Sequence, residues 1–143
     1  MPEILFYVLE EGDAGARTDL ARRIARKAWQ QGHRVYLHAA DAENARRLDH
    51  LLWEHPREEF FPHALADAPE ADASAVLIGH SNPPARHDDV LINLAPQAPA
   101  FCGGFRRVAE PVSADDNDRQ QARRRWRYYR EQGWPVRNYP LRG

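Results

Sequence analysis

The chain has 143 residues, room for one domain and too few for two of ordinary size. Hydrophobic residues at 43% and charged residues at 29% exclude a wholly disordered chain. A mean hydropathy of −0.75, with no apolar run near the roughly 18 residues of a bilayer span, argues against a membrane helix, and a net charge of −1 argues against a surface that coats nucleic acid throughout.

Residues 4–9 (Ile-Leu-Phe-Tyr-Val-Leu) form a short continuous apolar run, the pattern of a strand buried on both faces. A turn with Gly12 and Gly15 follows, and Thr18 is placed to cap a helix, with Asp19 favourable to the macrodipole. Leu20, Ala21, Ile24, Ala25 and Ala28 recur on one face of that helix, and Gly32 ends it. Residues 34–37 read as a second strand. Asp41 caps a second helix with Ala45, Leu48 and Leu52 inward, and Pro56 stops it. The middle is less regular, with a short extended piece within 60–65 and an Ala- and Asp-rich loop at 66–74.

Residues 75–79 and 90–94 read as buried strands, separated by the turn residues Ser81, Asn82, Pro83 and Pro84. Residues 95–105 are ambiguous. Residues 107–112 suit a last strand, and Asp115 or Asp116 caps a final helix that runs to Gln132, with Gly133 at its end. Residues 134–143 read as an irregular C-terminal tail. The order predicts one α/β domain over 1–143, a Rossmann-like open, mostly parallel sheet with helices on both faces. Such a fold does not by itself imply nucleotide binding.

The chemistry of catalysis is hard to find. After the first strand the turn reads Glu10-Glu11-Gly12-Asp13-Ala14-Gly15, where the glycine spacing is wrong for a dinucleotide loop and three carboxylates would repel a pyrophosphate. No Gly-Lys-Ser/Thr follows a glycine-rich stretch. The seven histidines are scattered, with no pair spaced as in His-Glu-x-x-His, so no metal site is expected. A single cysteine, Cys102, rules out an internal disulfide and a zinc site built on cysteine pairs; it reads as a small buried side chain rather than a reactive thiolate. The expectation is no cofactor and no enzymatic activity. The N-terminus has no basic stretch before an apolar one, so the expected compartment is the cytoplasm.

The last helix is the informative element. All but one of the 20 basic residues are arginine, and six of them lie between 119 and 130. On a helical wheel Ala122, Trp126 and Tyr129 share a face, and Arg119, Arg123, Arg127 and Arg130 form a stripe beside it. A charge run is often only a solvated face. An aromatic bordering arginines is also what recognises a carboxylate or phosphate next to an apolar group, whether on a nucleic-acid backbone or on an acidic peptide with a hydrophobic anchor.

A series of short pieces runs in order along the chain: Phe6-Tyr7-Val8-Leu9, Ala28-Trp29, Gly32-His33-Arg34-Val35, Arg47-Leu48-Asp49, Leu52-Trp53, Pro56 and Phe60-Phe61-Pro62-His63. Residues 89–94 and the helix from Ala122-Arg123 to Tyr129-Arg130, ending at Gly133, complete it. In these pieces, from residue 6 to 133, the chain resembles the chi subunit family of bacterial DNA polymerase III holoenzyme. The resemblance implies a Rossmann-like, non-catalytic adaptor in DNA replication. One surface would bind the acidic C-terminal tail of single-stranded-DNA-binding protein, which ends in Pro-Phe. Another would bind the psi subunit and so the clamp loader, with DNA reached only indirectly. Carried over by position, the family's tail-binding pocket falls on Trp53, Phe60, Val112, Arg119, Arg123 and Trp126. The family typically has lysine where Arg119 stands and tyrosine where Trp126 stands, so charge and aromaticity are kept. Residues 66–88 and the C-terminal tail match poorly, and nothing is carried over there. The rival readings are direct nucleic-acid binding by the arginine helix and a nucleotide-dependent enzyme on a Rossmann-like fold.

Overall fold

A computed structural model describes residues 2–54, 63–67, 74–84 and 87–141. The first apolar run becomes β1 (Glu3–Leu9), followed by α1 (Ala14–Gln30), β2 (Val35–His38), α2 (Ala42–Trp53), β3 (Ala64–Leu65), β4 (Val76–Gly79) and β5 (Val90–Asn93). Then come a 3-10 turn at Cys102–Gly104, β6 (Arg107–Val112), α3 (Asp116–Glu131) and β7 (Val136–Leu141). The seven strands form one sheet in the order β3-β4-β2-β5-β6-β1-β7, with every neighbouring pair parallel.

An all-parallel sheet needs both faces covered, because its crossovers lie on them. Here α1 and α2 cover one face, packing on Val35, Leu37, Ile78 and Ile92. The other face carries α3 and the segment around Phe101 and Phe105, packed on Ile4, Phe6, Tyr36, Leu77 and Leu91. Strands β2, β4 and β5 are buried at every position, which explains why they read as unbroken apolar runs. Trp29 packs against the α1–α2 side of the core, and Cys102 is wholly buried, with burial first among the causes that push its thiol up to about 11.

Two sequence expectations are corrected. Helix α1 begins five residues earlier than a Thr18 cap would allow: Asp13 is its N-cap, and its carboxylate accepts from Gly15 N–H at 3.0 Å. The tail is not irregular. After Gly133, whose φ of +81° lets the chain reverse, residues 136–141 pair in parallel with β1 as the outermost strand. Asp41 and Asp115 cap α2 and α3 as expected, accepting from Asn44 N–H at 2.8 Å and Asp118 N–H at 3.0 Å. Pro56, expected to stop α2, lies outside the described residues; the helix ends at Trp53.

His38 sits at the end of β2, 8% exposed, with its ring edge-on to Phe101 at 5.1 Å. Burial, with His80 nearby as a lesser cause, pushes its imidazole down to about 4 from an ordinary 6.5. The folded state therefore keeps His38 neutral where the unfolded chain would protonate it. Stability from this group is complete above pH 6.5 and is lost as pH falls toward 4, by about 3 kcal/mol. Urea unfolding of wild type and His38→Gln across that range should give a shallower pH slope for the variant. Parallel slopes would show that His38 is not the group responsible.

Candidate functional site

The site is built where α3 crosses the C-terminal halves of β1 and β6. Asp118, in the first turn of α3, is buried; one carboxylate oxygen accepts from both Ser113 N–H and Ser113 Oγ at 2.7 Å. Its other oxygen lies 3.7 Å from the Arg17 guanidinium. Arg17 in turn donates to the main-chain carbonyls of Pro111, Leu94 and Asn93, so α1, β5, β6 and the start of α3 are tied at one point.

Further along α3, Arg125 is 1% exposed and reaches Glu110, which is wholly buried on β6; Nε donates to Oε1 at 2.8 Å. The other Glu110 oxygen accepts from Tyr129 Oη at 2.5 Å and Asn93 Nδ2 at 2.9 Å, and Arg125 Nη1 donates to the Pro96 carbonyl at 3.0 Å. Burial and then the Glu110 charge push the Tyr129 phenol far above its ordinary range, so it stays a donor. This buried polar cluster fixes the rotation and height of α3 over the sheet.

With α3 fixed, a groove of about 380 Å³ opens between it, β1 and β7. Phe6, Val8 and Leu9 of β1 and Val112 of β6 lie along it, Ala122 and Trp126 line the α3 side, and Asn138 and Pro140 of β7 line the outer side. Trp126 is half-buried, with its ring 5.0 Å from Phe6 and tilted by 54°. Two cations stand at the rim. Arg119 donates from Nη2 to the Leu9 carbonyl at 2.9 Å and from Nε to the Ser113 carbonyl at 3.4 Å, so its guanidinium is held in place before any ligand arrives. Arg123, one turn later, is exposed and in no ion pair among the described residues. The arrangement offers an apolar slot for a ring or branched chain and a fork of donors for an oxyanion beside it.

Four of the six residues carried over by resemblance thus meet in one groove: Val112, Arg119, Arg123 and Trp126. Trp53 does not join them. It lies at the end of α2, on the opposite face of the sheet and toward the β3–β4 edge, 54% exposed and packed on the His63 ring at 4.6 Å. Phe60 lies outside the described residues. Sequence reading missed Phe6 and Val8 as groove residues, although period-two alternation in β1 places both on the α3 face. It also missed Asn138 and Pro140, which had no signal as long as β7 was unrecognised.

A second crevice, of about 470 Å³, lies at the ends of β2 and β5 near the starts of α1 and α2, where open sheets of this kind commonly hold ligands. The carboxylates of Asp13 and Asp41 each accept one N–H of those two helix starts, Gly15 and Asn44, and Arg17 is committed to main-chain carbonyls. Among the described residues no helix is long and apolar enough to cross a membrane, and no cluster of three His, Cys, Asp or Glu is placed to hold a metal.

The chain is similar to known proteins over nearly its whole length. Residues 1–137 match the family described as DNA polymerase III chi subunit, HolC. DNA polymerase III subunit chi of Pseudomonas aeruginosa is 46% identical over 142 residues, covering 99% of this chain and 98% of that protein. Subunit chi of Escherichia coli is 32% identical over 141 residues, covering 95% and 96% of the two chains. That of Haemophilus influenzae is 31% identical over 134 residues, covering 92% of each. A match of this extent, on a parallel α/β sheet with an arginine-rich last helix, places the chain in the DNA polymerase III chi subunit family, accessory subunits of the replicative polymerase.

Proposed function

We propose that this chain is a non-catalytic adaptor of the cytoplasmic replication machinery. It captures the acidic C-terminal tail of single-stranded-DNA-binding protein in the groove beside α3 and links it, through the psi subunit, to the clamp loader. The observation that carries this reading is the pairing of an apolar slot (Phe6, Val8, Trp126) with Arg119 and Arg123 at its rim. A peptide ending in Pro-Phe supplies the matching parts: a phenyl ring for the slot, a terminal carboxylate and upstream aspartates for the guanidiniums. Such a tail is ordered only on binding, so the affinity is modest.

Trp53 supports a second protein contact rather than the first. A tryptophan more than half exposed, with Leu51 also exposed on the same helix, is an anchor of the kind that protein interfaces bury. It lies on the opposite sheet face from the groove, so two partners can be held at once, as an adaptor requires.

The reading is tested by comparing Trp126→Ala with Trp29→Ala in binding the tail peptide, the folded fraction being checked by circular dichroism. Trp126→Ala should weaken binding by about 2 kcal/mol or more, and Trp29→Ala, on the opposite face of the sheet from the groove, by little. Equal losses would remove the groove as the site. Single-stranded-DNA-binding protein lacking its last residues should not bind; retained binding would favour direct contact of the α3 arginines with nucleic acid or another surface.

A further inference from the structure

One wall of the groove is α3; the other is only β7, the outermost strand of the sheet. Ile4 N–H donates to the Pro135 carbonyl at 3.0 Å and Glu10 N–H to the Leu141 carbonyl at 3.0 Å. In a parallel ladder a residue turns both its main-chain groups to the same neighbour, and the next residue turns both away. Residues 135, 137, 139 and 141 therefore face β1, and Val136, Asn138 and Pro140 present their main-chain groups at the open edge. Pro140 has no N–H to leave unpaired there, which suits an edge position. Among the described residues Val136 and Asn138 each keep a free main-chain donor and acceptor. The side chains of these three residues turn toward α3, and two of them line the groove, so the slot and the open edge are one continuous surface.

Charge sets the direction a bound chain would take. At the C-terminal end of β1 stand the exposed Glu10, Glu11 and Asp13, with Asp115 and Asp116 at the start of α3. The exposed cations of α3 lie the other way, Arg127 and Arg130 further down the helix. An acidic chain whose carboxylate sits at Arg119 and Arg123 is repelled from the first end and drawn toward the second. Its upstream residues then run from the N-terminal end of β7 toward the C-terminal end.

Resting on the reading of the groove as the site of an acidic C-terminal peptide, we infer that the residues upstream of the peptide's carboxylate add to β7 as an eighth strand, parallel to it, exchanging main-chain hydrogen bonds with Val136 and Asn138. Main-chain pairing at a free sheet edge supplies affinity without regard to side chains, while the slot and the arginines supply selectivity.

The test uses an acidic ten-residue peptide ending in Pro-Phe with a free carboxylate, its binding followed by fluorescence anisotropy. Asn138→Pro removes an N–H that gives nothing to β1; Asn138→Ala removes the side chain and keeps the N–H. Asn138→Pro should bind about fivefold more weakly than Asn138→Ala, the size of one main-chain hydrogen bond. A second series leaves the protein untouched: N-methylation of single peptide amides should weaken binding at alternate upstream positions and spare those between. Sensitivity without that alternation overturns the strand pairing, whatever Asn138→Pro does. If the unmodified peptide does not bind wild type at all, the groove reading falls with it; if it binds and neither series matters, only the strand pairing falls.

Discussion

Arg125→Ala is expected to destabilise the fold by about 3–5 kcal/mol, the largest effect of any arginine in α3. The neighbouring Arg123, Arg124 and Arg127 are exposed, and substitutions of such residues usually stay within about 0.5 kcal/mol of neutral. Arg125 differs because its partner Glu110 is wholly buried. Removing the guanidinium leaves a carboxylate in the interior with, among the described residues, only Tyr129 and Asn93 to hold it, and strips the Pro96 carbonyl of its donor. The double variant Arg125→Met with Glu110→Gln should recover a good part of the loss, because a buried ion pair costs more when half is removed than when both halves are neutralised. Urea unfolding of the two single variants and the double variant forms a cycle whose coupling measures the pair. A loss below about 1 kcal/mol for Arg125→Ala would mean that water or another group satisfies Glu110 in its place.

This buried pair shows where sequence reading stops. The cluster of six arginines was visible, as was the wheel that sets Ala122, Trp126 and Tyr129 on one side. That Arg125 turns inward was not, because its partner Glu110 lies 15 residues earlier on a strand that reads as apolar on either side of it after Arg107. The buried strands were legible because a parallel sheet covered on both faces demands continuous apolar runs, and β2, β4 and β5 supply them. Strand β7 was illegible for the opposite reason. As an edge strand it has one side open to solvent, so Arg137, Asn138 and Tyr139 sit in it without penalty and Pro140 fills an outward position. Propensity marks such a segment as a tail, and only its pairing with β1 makes it a strand. The same failure hid half the groove wall. Resemblance gathered Trp53 with the α3 residues into one pocket; the topology puts α2 and α3 on opposite faces of the sheet, so they lie on different surfaces.

Arg123→Ala is expected to weaken binding of the free-acid tail peptide by about 2 kcal/mol or more while leaving the fold intact. Of the two rim arginines, Arg119 already spends donors on the Leu9 and Ser113 carbonyls, which fixes it but reduces what it can offer a ligand. Arg123 is exposed and in no ion pair among the described residues, so its whole fork is open to a carboxylate lying beside Trp126. Two parallel N–H···O bonds to one carboxylate are a geometry that lysine cannot reproduce, and Arg123→Lys should recover only part of the loss. An amidated peptide lacks the second oxygen and the charge; it should bind wild type poorly and be nearly indifferent to Arg123→Ala. Raising the salt concentration should narrow the gap between wild type and Arg123→Ala, since the pair forms at a solvent-exposed rim where charge is screened. The contribution of Phe6 and Trp126, which is apolar, should persist. Anisotropy titrations of both peptides against the three proteins at two salt concentrations separate these terms. If Arg123→Ala binds the free-acid peptide as tightly as wild type, the arginine stripe of α3 is a solvated face and the carboxylate, if it is held at all, is held elsewhere.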